Sequence, residues 1–327
     1  MALGHLQQEQ IERIRQSELY TEDTKESEKY INTLICPQCG EKEAYLFKRA
    51  PFKLYCSRKT QCGHISDTRE LFPVKNIDHE ADHPPSADDP HRPATHYLHS
   101  RGLSSSLKGL DYEYWPDVRG SGSGAVMFKI DGPDGPVYNG RLFNPPENEG
   151  KTHNKGPISG CHWRHPALDY EKAPAIYVTE GVLDALSLIE AGRPAISVLT
   201  AGSNPENFNN LAFEKLVPAF DNDEAGTKAT RRWVQFIKKK TGIDPDVIVP
   251  LQGDWNDYLR EHGADDVKRC FDKDYDDFKL QGSLAAAQTP KRYGQLIAEP
   301  DRSKAFEFEG RTYLCTAKLV NIKVNRA

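Results

Sequence analysis

Apolar residues along the chain fall into short runs parted by polar stretches, and the spacing inside each run predicts its secondary structure. Leu6, Ile11, Ile14 and Leu19 recur at near-helical intervals and predict an amphipathic opening helix over about Gln7 to Leu19. Ala44-Tyr45-Leu46-Phe47 and Phe52-Lys53-Leu54-Tyr55 predict two strands of a hairpin. Pro73 to Pro93, PVKNIDHEADHPPSADDPHRP, shows no apolar periodicity and predicts a tether in which His79, His83 and His91 are solvated rather than metal ligands. Order resumes at Ala94-Thr95-His96-Tyr97-Leu98. Gly124 to Ile130 then alternates into the turn Asp131-Gly132-Pro133-Asp134-Gly135, and Val137 to Leu142 answers it as the second arm of a hairpin.

From Ile176 the pattern changes to alternating strand and helix. Ile176-Tyr177-Val178 leads into an apolar-faced helix, Val182 to Ile189, which Gly192 closes. Ala195 to Leu199 reads as a buried strand, Leu216 to Phe220 as another, Ala225 to Lys240 as a helix and Val247-Ile248-Val249-Pro250 as a further strand. This order predicts a doubly wound parallel sheet. From about Asp272 the chain becomes polar, and only Ser303 to Val324 shows strand-like alternation, for which no function is assigned.

Composition narrows the class. A length of 327 residues has room for two or three domains, and a charged fraction of 28% with mean hydropathy −0.69 fits a soluble protein with polar linkers. No apolar run approaches the roughly eighteen residues of a membrane span, and MALGHLQQEQIERIRQ lacks a signal-peptide core, so a cytoplasmic location and no membrane partner are expected. The net charge of −5 provides no bulk attraction to nucleic acid, so any such partner must be met by local basic patches. Seven cysteines, four of them between Cys36 and Cys62, point to a metal site rather than a disulfide framework in a chain without an export signal. Cys36-x-x-Cys39-Gly40 forms a knuckle, and Cys56 and Cys62 flank an enlarged loop, Ser57 to Gln61. The four predict a zinc ribbon with tetrahedral sulfur ligands around one structural Zn²⁺, with His64 as the substitute should the loop place Cys62 badly.

Two strand ends each deliver carboxylates. Ile176-Tyr177-Val178 reaches Glu180-Gly181 with Asp184 on the next helix, and about forty residues later Leu216 to Phe220 ends in Asp221-Asn222-Asp223, followed by Ala225-Gly226. Mg²⁺ takes oxygen ligands and keeps several waters, so a few carboxylates with substrate phosphates complete its shell. On an extended segment Asp221 and Asp223 point to the same side. Open α/β sheets collect ligands beyond the carboxyl ends of their strands, where Glu180 and Asp221 fall.

The pattern E-G-x-x-D-A, followed by D-x-D-x-A-G, resembles the TOPRIM domain shared by DnaG-type primases, topoisomerases and some nucleases. A zinc ribbon ahead of it, with Tyr97-Leu98 and Arg101-Gly102 as a "YL..RG" phrase, resembles DnaG-type primases and phage primase-helicases over about residues 30 to 260. The resemblance implies an α/β fold: a TOPRIM parallel-sheet core with an α+β N-terminal polymerase subdomain, preceded by a small β zinc ribbon. The expected boundaries are 1–72 for the ribbon, 73–93 for the linker, 94–172 for the N-terminal polymerase subdomain, 173–270 for TOPRIM and 271–327 for a C-terminal extension. The implied activity is that of a DNA-dependent RNA primase of a phage or other mobile element, making primers on single-stranded DNA from nucleoside triphosphates. In it Glu180, Asp221 and Asp223 hold two catalytic Mg²⁺ or Mn²⁺ ions, Asp254 and Asp257 complete the metal site, Asp184 is a further catalytic carboxylate or orients the loop from the start of its helix, and Arg101, Arg141 and Lys155 line a basic groove for template and nucleotide. A replicative helicase, in trans or fused beyond the C-terminus, is the implied protein partner. No G-x-x-x-x-G-K-[ST] phosphate loop occurs in these residues. A TOPRIM nuclease and a non-catalytic DNA-binding module are the alternatives, distinguished by template cleavage without nucleotides and by failure to bind divalent cations.

Overall fold

The computed structural model describes residues 4–72, 77–145, 150–208, 211–250, 253–272, 305–308 and 311–314. The first helix, α1 (His5–Arg15), buries Ile11 and Ile14. It stops short of the expected Leu19 because Ser17 turns back on Ile14, its hydroxyl donating to that carbonyl at 2.7 Å. Leu19 is nonetheless buried, off the helix, where its carbonyl accepts from Ile35 N at 2.9 Å. Strands β1 (Lys25–Glu26), β2 (Tyr30–Leu34), β3 (Ala44–Phe47), β4 (Ala50–Cys56) and β5 (Ile65–Asp67) form an antiparallel sheet in sequence order. Its inner face, Ile31, Leu34, Ala44, Leu46 and Leu54, packs against α1. Two buried glutamines of α1 pin the helix to main chain, Gln7 donating to Arg49 O and Gln10 to Thr68 O at the start of α2 (Thr68–Leu71).

Of the expected tether, residues 73–76 lie outside the described residues. The remainder departs from expectation: α3 (His79–Asp82) docks against α4 (Arg92–Ser100). His79 is buried against the rings of Tyr97 and Phe143, and its Nδ1 lies 2.9 Å from His96 Nδ1. His83 stacks on His96, and His91 accepts from Tyr114 N, so none of the three histidines is simply solvated. Apolar periodicity missed this because a four-residue helix that buries an imidazole presents no period to detect.

Strands β6 (Tyr112–Trp115), β7 (Ala125–Gly132), β8 (Gly135–Leu142) and β9 (Thr152–Lys155) form a second antiparallel sheet in sequence order. β10 (Trp163–Arg164) passes to the edge of a third sheet of order β10-β12-β11-β13, built with β11 (Ile176–Thr179), β12 (Ala195–Ser197) and β13 (Leu216–Pro218). β11 runs parallel to both its neighbours. Helix α5 (Val182–Glu190) covers one face with Tyr177 and Ala195, and α6 (Glu224–Thr241) covers the other with Ile176, Val178 and Ile196, which is the doubly wound arrangement. The expected strand Val247–Pro250 is buried and extended, and Ile248 N donates to Pro218 O at 3.0 Å.

Helices α7 (Trp255–His262) and α8 (Ala264–Asp272) follow. In α7, Trp255 is buried and donates to Ala219 O at 3.0 Å. The C-terminal alternation yields a hairpin of β14 (Ala305–Phe308) and β15 (Arg311–Leu314), and the rest of residues 273–327 lies outside the described residues.

Candidate active site

Parallel pairing of β11 with β13 sets Val178 opposite Pro218, so both strands end at the same edge of the sheet and Glu180 and Asp221 leave it side by side. Gly181 and Gly226 allow the close turns that follow. A Cβ on Gly181 would lie 2.7 Å from Asp184 Oδ2, and one on Gly226 would lie 2.1 Å from the Asp221 carbonyl oxygen. Ser197 Oγ donates to Glu180 O at 2.7 Å, fixing the first acidic loop, and Asn222 N donates to Gly253 O at 3.0 Å, tying the second to the Asp254 loop.

The result is a cleft of about 390 Å³ lined by Glu180, Asp184, Asp221 and Asp254, by Asn139, Arg141, Thr152 and Asn154 of the hairpin sheet, and by Arg101 and Asn256. Burial pushes the Asp221 carboxyl well above the usual carboxylate range, and the charges of Asp184, Glu180, Asp254 and Asp223 push it further. Asp184 is raised by burial and then by Asp254; Glu180 is raised by burial, with Asp223 and Asp254 adding to it. Like charges crowded in a dry place call for a cation. Asp221 Oδ1 is buried without a hydrogen-bond partner among the described residues. A hard oxygen donor set with an orphaned carboxylate oxygen fits Mg²⁺ or Mn²⁺.

The remaining expected residues divide. Asp184 accepts from Asn256 N at 3.2 Å, and Asn256 Nδ2 reaches Arg101 O and Ser187 Oγ, so the Asp254-Trp255-Asn256-Asp257 motif locks the acidic wall to the arginine. Asp254 caps α7 by accepting from Asp257 N. Asp223 Oδ1 caps α6, accepting from Gly226 N at 2.7 Å, and neither it nor Asp257 lines the cleft. Asp257 is 57% exposed and lies 3.7 Å from Arg101 and Arg260. Lys155 stands on the other face of β9 from Asn154, its ammonium 4.7 Å from the centre of the Trp115 ring. Sequence reading passed over Asn139, Asn154, Thr152 and Asn256. The signal for Asn139 was its place two residues before Arg141, on the same face of a strand.

In the ribbon, Cys36, Cys39, Cys56 and Cys62 bring their sulfurs within 4.8 Å of one another, the one such ligand cluster among the described residues. The Cys36–Cys62 and Cys39–Cys56 sulfurs are 3.9 Å apart, close to the ~3.8 Å edge of a tetrahedron with Zn–S near 2.3 Å. The knuckle forms as expected, Gly40 at φ +73° donating to Cys36 O and Cys36 N donating to Glu41 O. The long loop closes on Arg58 O, which accepts from the N–H groups of Gln61, Cys62 and Gly63. Cys62 thereby completes the set, and His64 contributes its carbonyl to Cys56 N.

Residues 177–259 match the Toprim-like family model, which defines the class of this domain. The chain resembles DnaG-type primases. It is 23% identical over 157 residues to a DNA primase of Enterococcus faecalis, an alignment covering 43% of this chain and 25% of that protein, so the chain spans about a quarter of the curated relative it matches. Among solved structures, the RNA polymerase domain of Mycobacterium tuberculosis primase DnaG aligns with 68% of this chain and 86% of its own, at 16% identity and TM-score 0.46. The zinc-binding and RNA polymerase domains of Aquifex aeolicus primase align with 89% of this chain and 97% of theirs, at 14% identity and TM-score 0.40.

Proposed function

We propose that this chain is a DNA-dependent RNA primase that makes short primers on single-stranded DNA. The observation that carries this reading is the convergence of Glu180, Asp184, Asp221 and Asp254 on one cleft opposite Arg141. Glu180, Asp221 and, from its cap position on α6 outside the cleft lining, Asp223 would hold two Mg²⁺ or Mn²⁺ ions, whose chemistry there would be activation of a 3′-hydroxyl and neutralisation of charge at the α-phosphate and the leaving pyrophosphate. Asp184, held by Asn256, keeps the Glu180 loop in place. Arg101 and Arg141 meet phosphate oxygens, for which the guanidinium fork is suited. Lys155 and the zinc ribbon engage the template away from the cleft, and the long loop after Cys56 fits a phage or mobile-element enzyme; a replicative helicase is the proposed protein partner and the bacterial cytoplasm the proposed location.

The test incubates the protein with single-stranded DNA, Mg²⁺ and labelled nucleoside triphosphates and sizes the products. Template-dependent oligonucleotides are expected, reduced at least ~100-fold by Asp221→Ala with an unaltered circular dichroism spectrum. Equal primer yield from that variant removes the metal assignment. Shortened template in the absence of nucleotides replaces the reading with a metal-dependent nuclease, and failure to bind Mn²⁺ replaces it with a binding module.

A further inference from the structure

The hairpin sheet turns a polar floor toward the carboxylates. Its registers align Phe128, Asn139 and Asn154 in one row across β7, β8 and β9, and Val126, Arg141 and Thr152 in the next. Asn139 is only 7% exposed, yet it lines the cleft together with Asn154. Asn139 Nδ2 donates to Asn154 Oδ1 at 2.7 Å, so each amide orients the other. That bond leaves this cleft-lining pair the Asn139 carbonyl oxygen as an acceptor and the remaining amide N–H groups, those of Asn154 among them, as donors.

We propose that the Asn139–Asn154 amide pair recognises the ribose 2′-hydroxyl of the nucleotide in the cleft and thereby selects ribonucleotides over deoxyribonucleotides. This inference rests on the primase reading of the same site. A hydroxyl donates one hydrogen bond and accepts others, which matches the acceptor and donor that the pair presents. Phosphate belongs instead to Arg141, the next residue along the same face of β8, because neutral amides do not offset its charge. A base edge is also a poor match. An asparagine fixed on a base edge favours adenine, whereas a templated reaction must admit all four bases and the sugar is common to them. Buried polar groups built around a substrate hydroxyl are left unpaired by the analogue lacking it, and this mechanism rejects a near-identical substrate strongly.

A purely structural role for the pair, bracing edge strand β9, predicts loss of stability without a change in sugar preference. The two roles separate in one experiment on the full chain with single-stranded DNA and Mg²⁺. It compares kcat/KM for ribonucleoside and deoxyribonucleoside triphosphates in wild type, Asn139→Ala and Asn154→Ala, with melting curves for each. The expected result is a ribo-to-deoxy ratio that falls at least ~10-fold in both variants, mainly through a raised KM for ribonucleotides. Asn154, on the edge strand, keeps the test usable if Asn139→Ala fails to fold. Primer synthesis with the wild-type ratio overturns the sugar-recognition role and leaves the primase reading standing, including when both rates drop together. Absence of any product from the wild type overturns both.

Discussion

Gly226 shows how little room the site leaves. Its motif position predicts a tight strand-to-helix turn, but the structure gives a stricter reason, since a methyl group there would sit 2.1 Å from the Asp221 carbonyl oxygen. Either the Asp221 loop or the first turn of α6 must then move. Gly226→Ala is expected to destabilise the fold by about 1–3 kcal/mol and to reduce primer synthesis. Urea denaturation with a matched primer assay checks this, and wild-type values in both would show slack in the turn. The carboxylates themselves were legible because strand ends followed by glycine are a local pattern. Asn139 and Asn154 were not, because their partnership is made by β8 pairing with β9 and not by anything adjacent in the chain.

At the scale of elements, α3 is the clearest departure from expectation. Burial, with the neighbouring His96 and His83 charges adding to it and Asp78 and Asp82 opposing, holds the His79 imidazole down at about 4. A histidine whose folded value lies below its ordinary value of about 6.5 stabilises the fold above that pH. The contribution is lost as pH falls from about 6.5 toward 4, because the unfolded chain binds the proton first. The melting temperature is therefore expected to drop across that window, and His79→Gln is expected to flatten the drop. A His79→Gln profile parallel to wild type would place the acid sensitivity elsewhere. Helix α5 is held at its other end by a comparable device: Glu190 accepts from the backbone N–H groups of Ser104, Ser105 and Ser106 and from the hydroxyls of Ser105 and Ser106. That clamp ties the loop after Arg101 to the helix that starts at the acidic cluster.

Across the whole molecule, the ribbon leans on the Toprim-like part through α1 and α7, which are not neighbours in sequence. Gly4 sits so close that an added Cβ would lie 2.6 Å from Arg260 O. The ribbon's own core is small, two helical isoleucines and a few strand residues, so a metal held by the four cysteines would carry much of its folding energy. Zinc chelation is expected to unfold residues 4–72 as a separate low-temperature transition while the Toprim-like unit melts as before; a single unchanged transition by circular dichroism, with zinc release verified, would contradict this. The sequence alone determined the alternation of strand and helix, the two acidic strand ends and the four thiolates, because each is written in residues close together in the chain. Tertiary structure decided which carboxylates face the cleft, that a presumed tether docks as a helix, and that two asparagines oppose the acids. Those outcomes depend on sheet register and burial, which bring together residues far apart in sequence.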